Sequence, residues 1–97
     1  MLKRVKIVRA TVRPDLREEY LGRWRRFAEA AAEVGARASL YEDFVLPGRF
    51  VEWVEYEASG ATKGRIGEAL QGADLRRACV RREGEDVNYR EVVLFEQ

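Results

Sequence analysis

The sequence has no histidine and one cysteine, Cys79. Without histidine the usual zinc and iron ligand sets are missing, and a lone cysteine closes no disulfide within the chain. No carboxylate spacing points to a hard-metal site either, so neither metal nor cofactor is expected. The two prolines, Pro14 and Pro47, both stand where an apolar stretch breaks off. No apolar run approaches the roughly 20 residues of a membrane span, and the opening MLKRVKIVRA lacks the long apolar stretch and small-residue cleavage site of a signal peptide. A cytoplasmic protein without a membrane partner is the expectation. The net charge of +1 gives no bulk field that would recruit nucleic acid.

What is present is a single globular domain over residues 1–97: 46% of the chain is hydrophobic, enough for one core at this length but not for two. The centre of the pattern is Tyr41 to Glu57, two segments rich in aromatic and β-branched residues joined at Leu46-Pro47-Gly48-Arg49. This reads as a β-hairpin, with strands over 36–46 and 49–58. A bare Pro-Gly turn has the wrong twist for a tight hairpin, so a longer or bulged connection is expected.

Val5 to Val12 predicts the first strand, with Val5, Ile7 and Thr11 on one face and Val8, Ala10 and Val12 on the other. Arg13-Pro14 ends it. Asp15 followed by Glu18 has capping-box spacing, and Leu16, Tyr20, Trp24, Phe27, Ala31 and Val34 recur at steps of four and three, which predicts a helix over 15–34 closed by Gly35. After the hairpin, Ser59 to Thr62 offers cap residues for a second helix whose inward positions are Ile66, Ala69, Leu70 and Ala73, weakened by Gly64, Gly67 and Gly72. Asp74 then caps a short helix carrying Leu75, Ala78, Cys79 and Val80. Glu83 to Asn88 reads as a polar loop and Tyr89 to Glu96 as the last strand. The order β-α-β-β-α-β predicts an α+β, ferredoxin-like fold: a four-stranded antiparallel sheet with helices on one face.

With water on its other face, each strand would alternate between apolar and polar residues. These strands do not. Leu40, Phe44 and Leu46 stand against Tyr41 and Val45; Phe50, Val54 and Tyr56 against Val51 and Trp53; Tyr89, Val93 and Phe95 against Val92 and Leu94. Helices suffice for one face, so Val51, Trp53, Val92 and Leu94 are expected to bury themselves against a second copy, as a symmetric homodimer packed sheet on sheet.

Val12-Arg13-Pro14-Asp15, Glu18-Glu19-Tyr20 and Pro47-Gly48-Arg49-Phe50-Val51-Glu52 carry a resemblance. With this element order, the chain resembles the dimeric α/β barrel superfamily, and within it the antibiotic-biosynthesis monooxygenase-like domains. That resemblance implies a dimeric α/β barrel and, in active members, a pocket between helices and sheet that holds a polycyclic substrate or haem. Family members often carry Trp near the end of strand three, where this chain has Tyr56. Haem-degrading members need Asn on strand one, where this chain has Ile7, and His on the second helix, which it lacks.

The candidate ligand-binding residues are Tyr20, Trp24 and Phe27 on the first helix and Phe44, Phe50 and Tyr56 facing them from the hairpin, with Tyr41 as a further pocket residue. Such an aromatic wall suits a small apolar or aromatic molecule, and a tyrosine hydroxyl can orient it. The alternative is that these rings simply fill the core. Glu42, Asp43, Glu52, Glu55 and Glu57 are read mainly as rim or interface ion-pair partners for the arginines, and Arg76, Arg77, Arg81 and Arg82 as a solvated helical face. Acidic residues interleave the hairpin aromatics, which disfavours RNA stacking. Catalytic residues are not identifiable. Three functions remain open: a small-molecule-binding dimer, a cofactor-independent monooxygenase acting on an aromatic substrate with Tyr56, Trp24 and Tyr41 in its pocket, and a structural or regulatory dimerisation module.

One prediction follows from the missing histidine. Haem mixed with the protein and a reductant should show no specific loss of its Soret band; stoichiometric opening of the tetrapyrrole would contradict this reading.

Overall fold

The computed structural model describes residues 2–90 and 92. Its elements are β1 (Leu2–Thr11), α1 (Arg17–Glu33), β2 (Arg37–Glu42), β3 (Arg49–Glu57), α2 (Gly60–Ala73) and β4 (Arg81–Arg90), with single 3-10 turns at Pro14–Leu16 and Leu75–Ala78. The strands form one antiparallel sheet in the order β2-β3-β1-β4. This is the ferredoxin-like arrangement expected from the element order, with α1 and α2 packed together on one face.

The local signals act largely as read. Gly35 adopts φ +79, and the N–H of Ala36 reaches the Ala31 carbonyl while that of Gly35 reaches Ala32. This pair of bonds is the Schellman closure of a helix, and it needs the left-handed conformation that glycine adopts without strain. Ser59 caps α2, its hydroxyl oxygen accepting from the Thr62 N–H at 3.2 Å. The Arg23 guanidinium donates to the Ala73 carbonyl at 3.0 Å, fastening α1 to the C-terminal end of α2, where the helix dipole favours a cation.

Four expectations are corrected. The capping box at Asp15 does not form: its carboxylate pairs with Arg13, and Pro14–Leu16 is a 3-10 turn that precedes α1 without a side-chain cap. Asp74 likewise makes no side-chain cap; it ends α2 in the left-handed conformation, φ +47. The second strand stops at Glu42 instead of Leu46, because Asp43 Oδ1 accepts from the N–H groups of Val45 and Leu46 and folds the chain into a local turn. Phe44, Val45 and Leu46 are therefore exposed on a loop, Phe44 fully so at 100%.

The largest correction concerns β4. The segment read as a polar loop is the middle of a strand that pairs with β1 from Leu2↔Arg90 to Thr11↔Arg81. A charged stretch is tolerated there because β4 is an edge strand, and charged side chains protect an edge from pairing with other chains. The sheet face that was to carry Val92 and Leu94 is supplied in β4 by Val87 and Tyr89. Val92 lies past the strand and is exposed, and Val93, Leu94 and Phe95 fall outside the described residues.

The core lies between the helices and the inner face of β1 and β3. Tyr20, Trp24, Phe27 and Ala31 from α1 meet Ala10, Phe50, Val54 and Tyr56, and Ile66, Ala73, Leu75 and Ala78 close it from the other side. Tyr20 packs on Phe50 with ring centroids 4.8 Å apart, and Trp24 on Phe27 at 5.2 Å. Tilted pairs at such distances add to the burial energy.

The hairpin connection is longer than two residues, as expected, and Gly48 anchors it. Its φ is +91, its carbonyl accepts from the Val12 N–H at 2.8 Å, and a Cβ there would come within 2.7 Å of the Val12 carbonyl oxygen. Gly48→Ala is expected to destabilise the fold by about 1–3 kcal/mol through forced φ and this clash. Urea denaturation checks it; unchanged stability would mean that the loop re-forms freely.

Candidate functional site

Strand β3 alternates strictly. Phe50, Val54 and Tyr56 point into the core, and so does Glu52, a carboxylate 1% exposed among aromatic rings. Left alone, such a charge would be far more costly than the burial of its neighbours could offset. It is not alone. Arg82 on β4 donates to both its oxygens, Nη2 to Oε1 at 2.6 Å and Nε to Oε2 at 3.1 Å, and the Tyr20 hydroxyl donates to Oε2 at 2.8 Å. The bidentate fork suits a planar carboxylate, and the phenol supplies a third donor.

The surroundings fix the protonation of Tyr20 and of the nearby Cys79. Burial, then the neighbouring Glu52 charge and the hydrogen bond to it, raise the Tyr20 pKa well above the usual phenol range, so Tyr20 stays a neutral donor and cannot serve as a base. Burial and the Glu52 charge also push the Cys79 thiol up to about 11. That thiol donates to the Leu75 carbonyl at 3.2 Å and is a poor nucleophile at neutral pH. The cluster thus holds charge and orients donors. It offers no titrating base of its own from tyrosine or cysteine.

The residues assigned to a ligand pocket separate into two groups. Tyr20, Trp24, Phe27, Phe50 and Tyr56 come together, packed in the core and buried. Phe44 is on the exposed loop, and Tyr41 points to the opposite face of the sheet with 60% of its surface exposed. Gly64, Gly67 and Gly72 of α2 face open space.

Among the described residues no element covers that opposite face. Part-buried Ile7, Val51, Trp53 and Val87 run across its centre beside the buried Val5, and Arg37, Arg9, Glu55, Glu83 and Glu85 surround them. Two adjoining clefts lie on it. One, of about 480 Å³, lies at the Thr11 end of the sheet; the other, of about 520 Å³, is lined by Arg37, Ser39, Tyr41, Val51, Trp53 and Glu55. The Trp53 indole N–H donates to Glu55 Oε1 at 2.6 Å, which satisfies its one polar group while the residue remains part-buried.

No protein-family model and no curated protein matches the chain by sequence. Solved structures match it by shape. The chain is similar to SnoaB, a cofactor-independent oxygenase from Streptomyces nogalater, with a TM-score of 0.74 at 17% identity over 96% of this chain and 98% of that one. It is also similar to a conserved protein from Methanosarcina mazei Go1 (TM-score 0.76, 18% identity, 95% of each chain). A third match, an antibiotic biosynthesis monooxygenase, has a TM-score of 0.64 at 19% identity over 96% of this chain and 100% of that one. The fold is that of the antibiotic-biosynthesis monooxygenase-like proteins.

Within this monooxygenase-like fold, sequence reasoning missed Glu52 and Arg82 as a pair. The sequence pattern suggests a rim residue for Glu52 and a helical face for Arg82, whereas Glu52 is buried and Arg82 stands on β4 with its side chain 14% exposed. The signal for Glu52 was present: it shares the parity of Phe50, Val54 and Tyr56. Nothing comparable marks Arg82, because the polar run around it hides a strand.

Glu52→Ala is expected to destabilise the protein by about 3–5 kcal/mol, since it strands a buried guanidinium, while Tyr20→Phe should lose only about 1 kcal/mol. Chemical denaturation of both variants checks the contrast; equal losses would mean that the ion pair is no stronger a constraint than the phenol. The raised thiol has its own consequence. Above pH 9 the unfolded chain releases a Cys79 proton that the folded chain retains, so stability falls as pH climbs from about 9 to 11. Cys79→Ser should flatten part of that fall in denaturation curves recorded across this range.

Proposed function

We propose that this chain works as one half of a homodimer, and that the dimer binds a small aromatic molecule on the sheet face enclosed between the two copies. The observation that carries the reading is the open face. Ile7, Val51, Trp53 and Val87 form an apolar centre that no described element of the chain covers, set inside a charged border. Such a pattern suits an interface, with an apolar middle and polar rim. Charge supports one orientation over another. Arg37 lies on the β2 side and Glu83 and Glu85 on the β4 side. A two-fold axis along the strands sets β2 of one copy against β4 of the other and brings these opposite charges together; an axis across the strands sets like against like.

The ligand belongs on this face for a second reason. The aromatic residues between helices and sheet pack on one another, whereas Tyr41, Val51 and Trp53 line open clefts. The second reading is cofactor-independent oxygenation of an aromatic substrate, favoured by the similarity to SnoaB. In that chemistry dioxygen places one atom in the substrate and the other leaves as water, the substrate providing the electrons. The neutral Tyr20 supplies no base for it, so the binding reading comes first. A dimerisation module without a ligand is the third.

Sedimentation equilibrium at micromolar concentration is expected to give a dimer, and Trp53→Glu to give monomer or unfolded chain, since a charge there would be buried unpaired. A stable wild-type monomer would refute the assembly. Oxygen uptake with a dihydroxynaphthalene separates the first two readings: binding without uptake supports the first, uptake the second.

A further inference from the structure

At one end of the open face, three arginines surround a threonine. Thr11 pairs with Arg49 on β3 and with Arg81 on β4, so the three stand in one row across the sheet; Arg9 lies two residues back along β1 on the same face. Neighbouring strands are about 4.8 Å apart and alternate residues about 6.6 Å apart, so three guanidinium groups share the surroundings of one hydroxyl. No two of the three are directly opposite each other, since Thr11 separates Arg49 from Arg81 and Arg9 faces Val51 and Glu83, but their positive charges collect on one end of this face.

The carboxylates lining the cleft balance these charges only in part. Glu83 stands opposite Arg9 in the β1–β4 ladder, but its Oε1 is engaged by Arg81 at 2.8 Å. Glu42 is engaged by Arg17 and accepts from the Gly48 N–H at 3.0 Å. Asp43 Oδ1 accepts from the N–H groups of Val45 and Leu46 at 2.8 and 2.9 Å, and these bonds, more than the nearby Arg49, hold its pKa low. Among the described residues Arg9 and Arg49 form no ion pair. Yet both line the cleft of about 480 Å³, with Thr11, Tyr41 and Val51 beside them.

We infer that this cleft is an oxyanion site, in which Arg9 and Arg49 hold the carboxylate or phosphate of a small molecule whose apolar body lies along Tyr41, Val51 and Trp53. Arg81, anchored by Glu83, borders the site, and the Thr11 hydroxyl is a further donor. The apolar part of the ligand has its place because the adjoining cleft shares Tyr41 and Val51 with this one and continues to Trp53. Arginine forks suit either anion, since both present paired oxygens. The inference rests on the open face as the ligand-bearing face but not on the dimer, because all three arginines come from one chain.

The test is a calorimetric and amide-NMR titration of the full chain with benzoate, phenyl phosphate, inorganic phosphate and neutral benzamide, at constant ionic strength. Saturable binding of benzoate or phenyl phosphate is expected, with shifts at the Thr11, Tyr41 and Arg49 amides, and the preferred compound names the anion. Arg9→Gln and Arg49→Gln should each weaken it at least tenfold with the melting temperature unchanged, while Arg26→Gln on the exposed side of α1 should not. If benzamide binds as well as benzoate, the anion site is overturned and the aromatic-ligand reading survives. If inorganic phosphate binds as tightly as phenyl phosphate, the site is an ion site only and the apolar body is overturned. Unchanged affinity in both arginine variants overturns the assignment of residues, and no saturable binding by any compound overturns this inference together with the open-face ligand.

Discussion

A carboxylate buried in an aromatic core is the constraint around which this domain closes. Glu52 lies at the middle of β3, and its charge is tolerable only if cations and donors reach it in good geometry. Arg82 must come from β4 and Tyr20 from α1. The edge strand, the central strand and the first helix are thereby tied to one point. A one-residue slip of β4 along β1 would turn Arg82 to the other face of the sheet and leave Glu52 unpaired. Burial alone is non-directional and would accept several registers; the ion pair discriminates among them.

The two faces of the sheet then have different work. The inner face is closed by helices and packed ring on ring, with Tyr20 and Cys79 kept protonated by the same burial that holds the pair. The outer face keeps apolar residues at its centre, arginines and glutamates at its margins, and the clefts. The ligand site we propose lies on the outer face, where the clefts are, and the space between helices and sheet is the alternative. The fold shared with SnoaB leaves both arrangements open, since at 17% identity it is the backbone that is held in common.

Much of the architecture is legible in the sequence because its signals are local. The three-and-four spacing from Leu16 to Val34, Gly35 at the helix end, Ser59 before α2 and the Pro-Gly punctuation of the hairpin all act through neighbours a few residues away. The two-sided apolar pattern of β3 is equally local, and it sets Val51 and Trp53 on the face opposite the helices. Even Glu52 can be seen to point inward, by parity with Phe50 and Val54. Where the structure departs from these signals, nearby polar groups compete with them. Asp43 turned the chain before Phe44 could join the strand, and Asp15 paired with Arg13 instead of capping a helix.

The sequence by itself determined which segments become helix and strand over most of the chain, and that the sheet would be apolar on both faces. Those properties depend on periodicity and on turn and cap residues, which are written in consecutive positions. Only the tertiary structure decided that the polar run around Glu83 is a strand, that Arg82 meets Glu52, and that Arg9, Arg49 and Arg81 gather about Thr11. An edge strand needs no apolar signature, since its ladder bonds come from backbone groups that every residue here carries. Proximity among residues on three strands depends on register, which is fixed by the summed pairing of the whole sheet and by one buried charge.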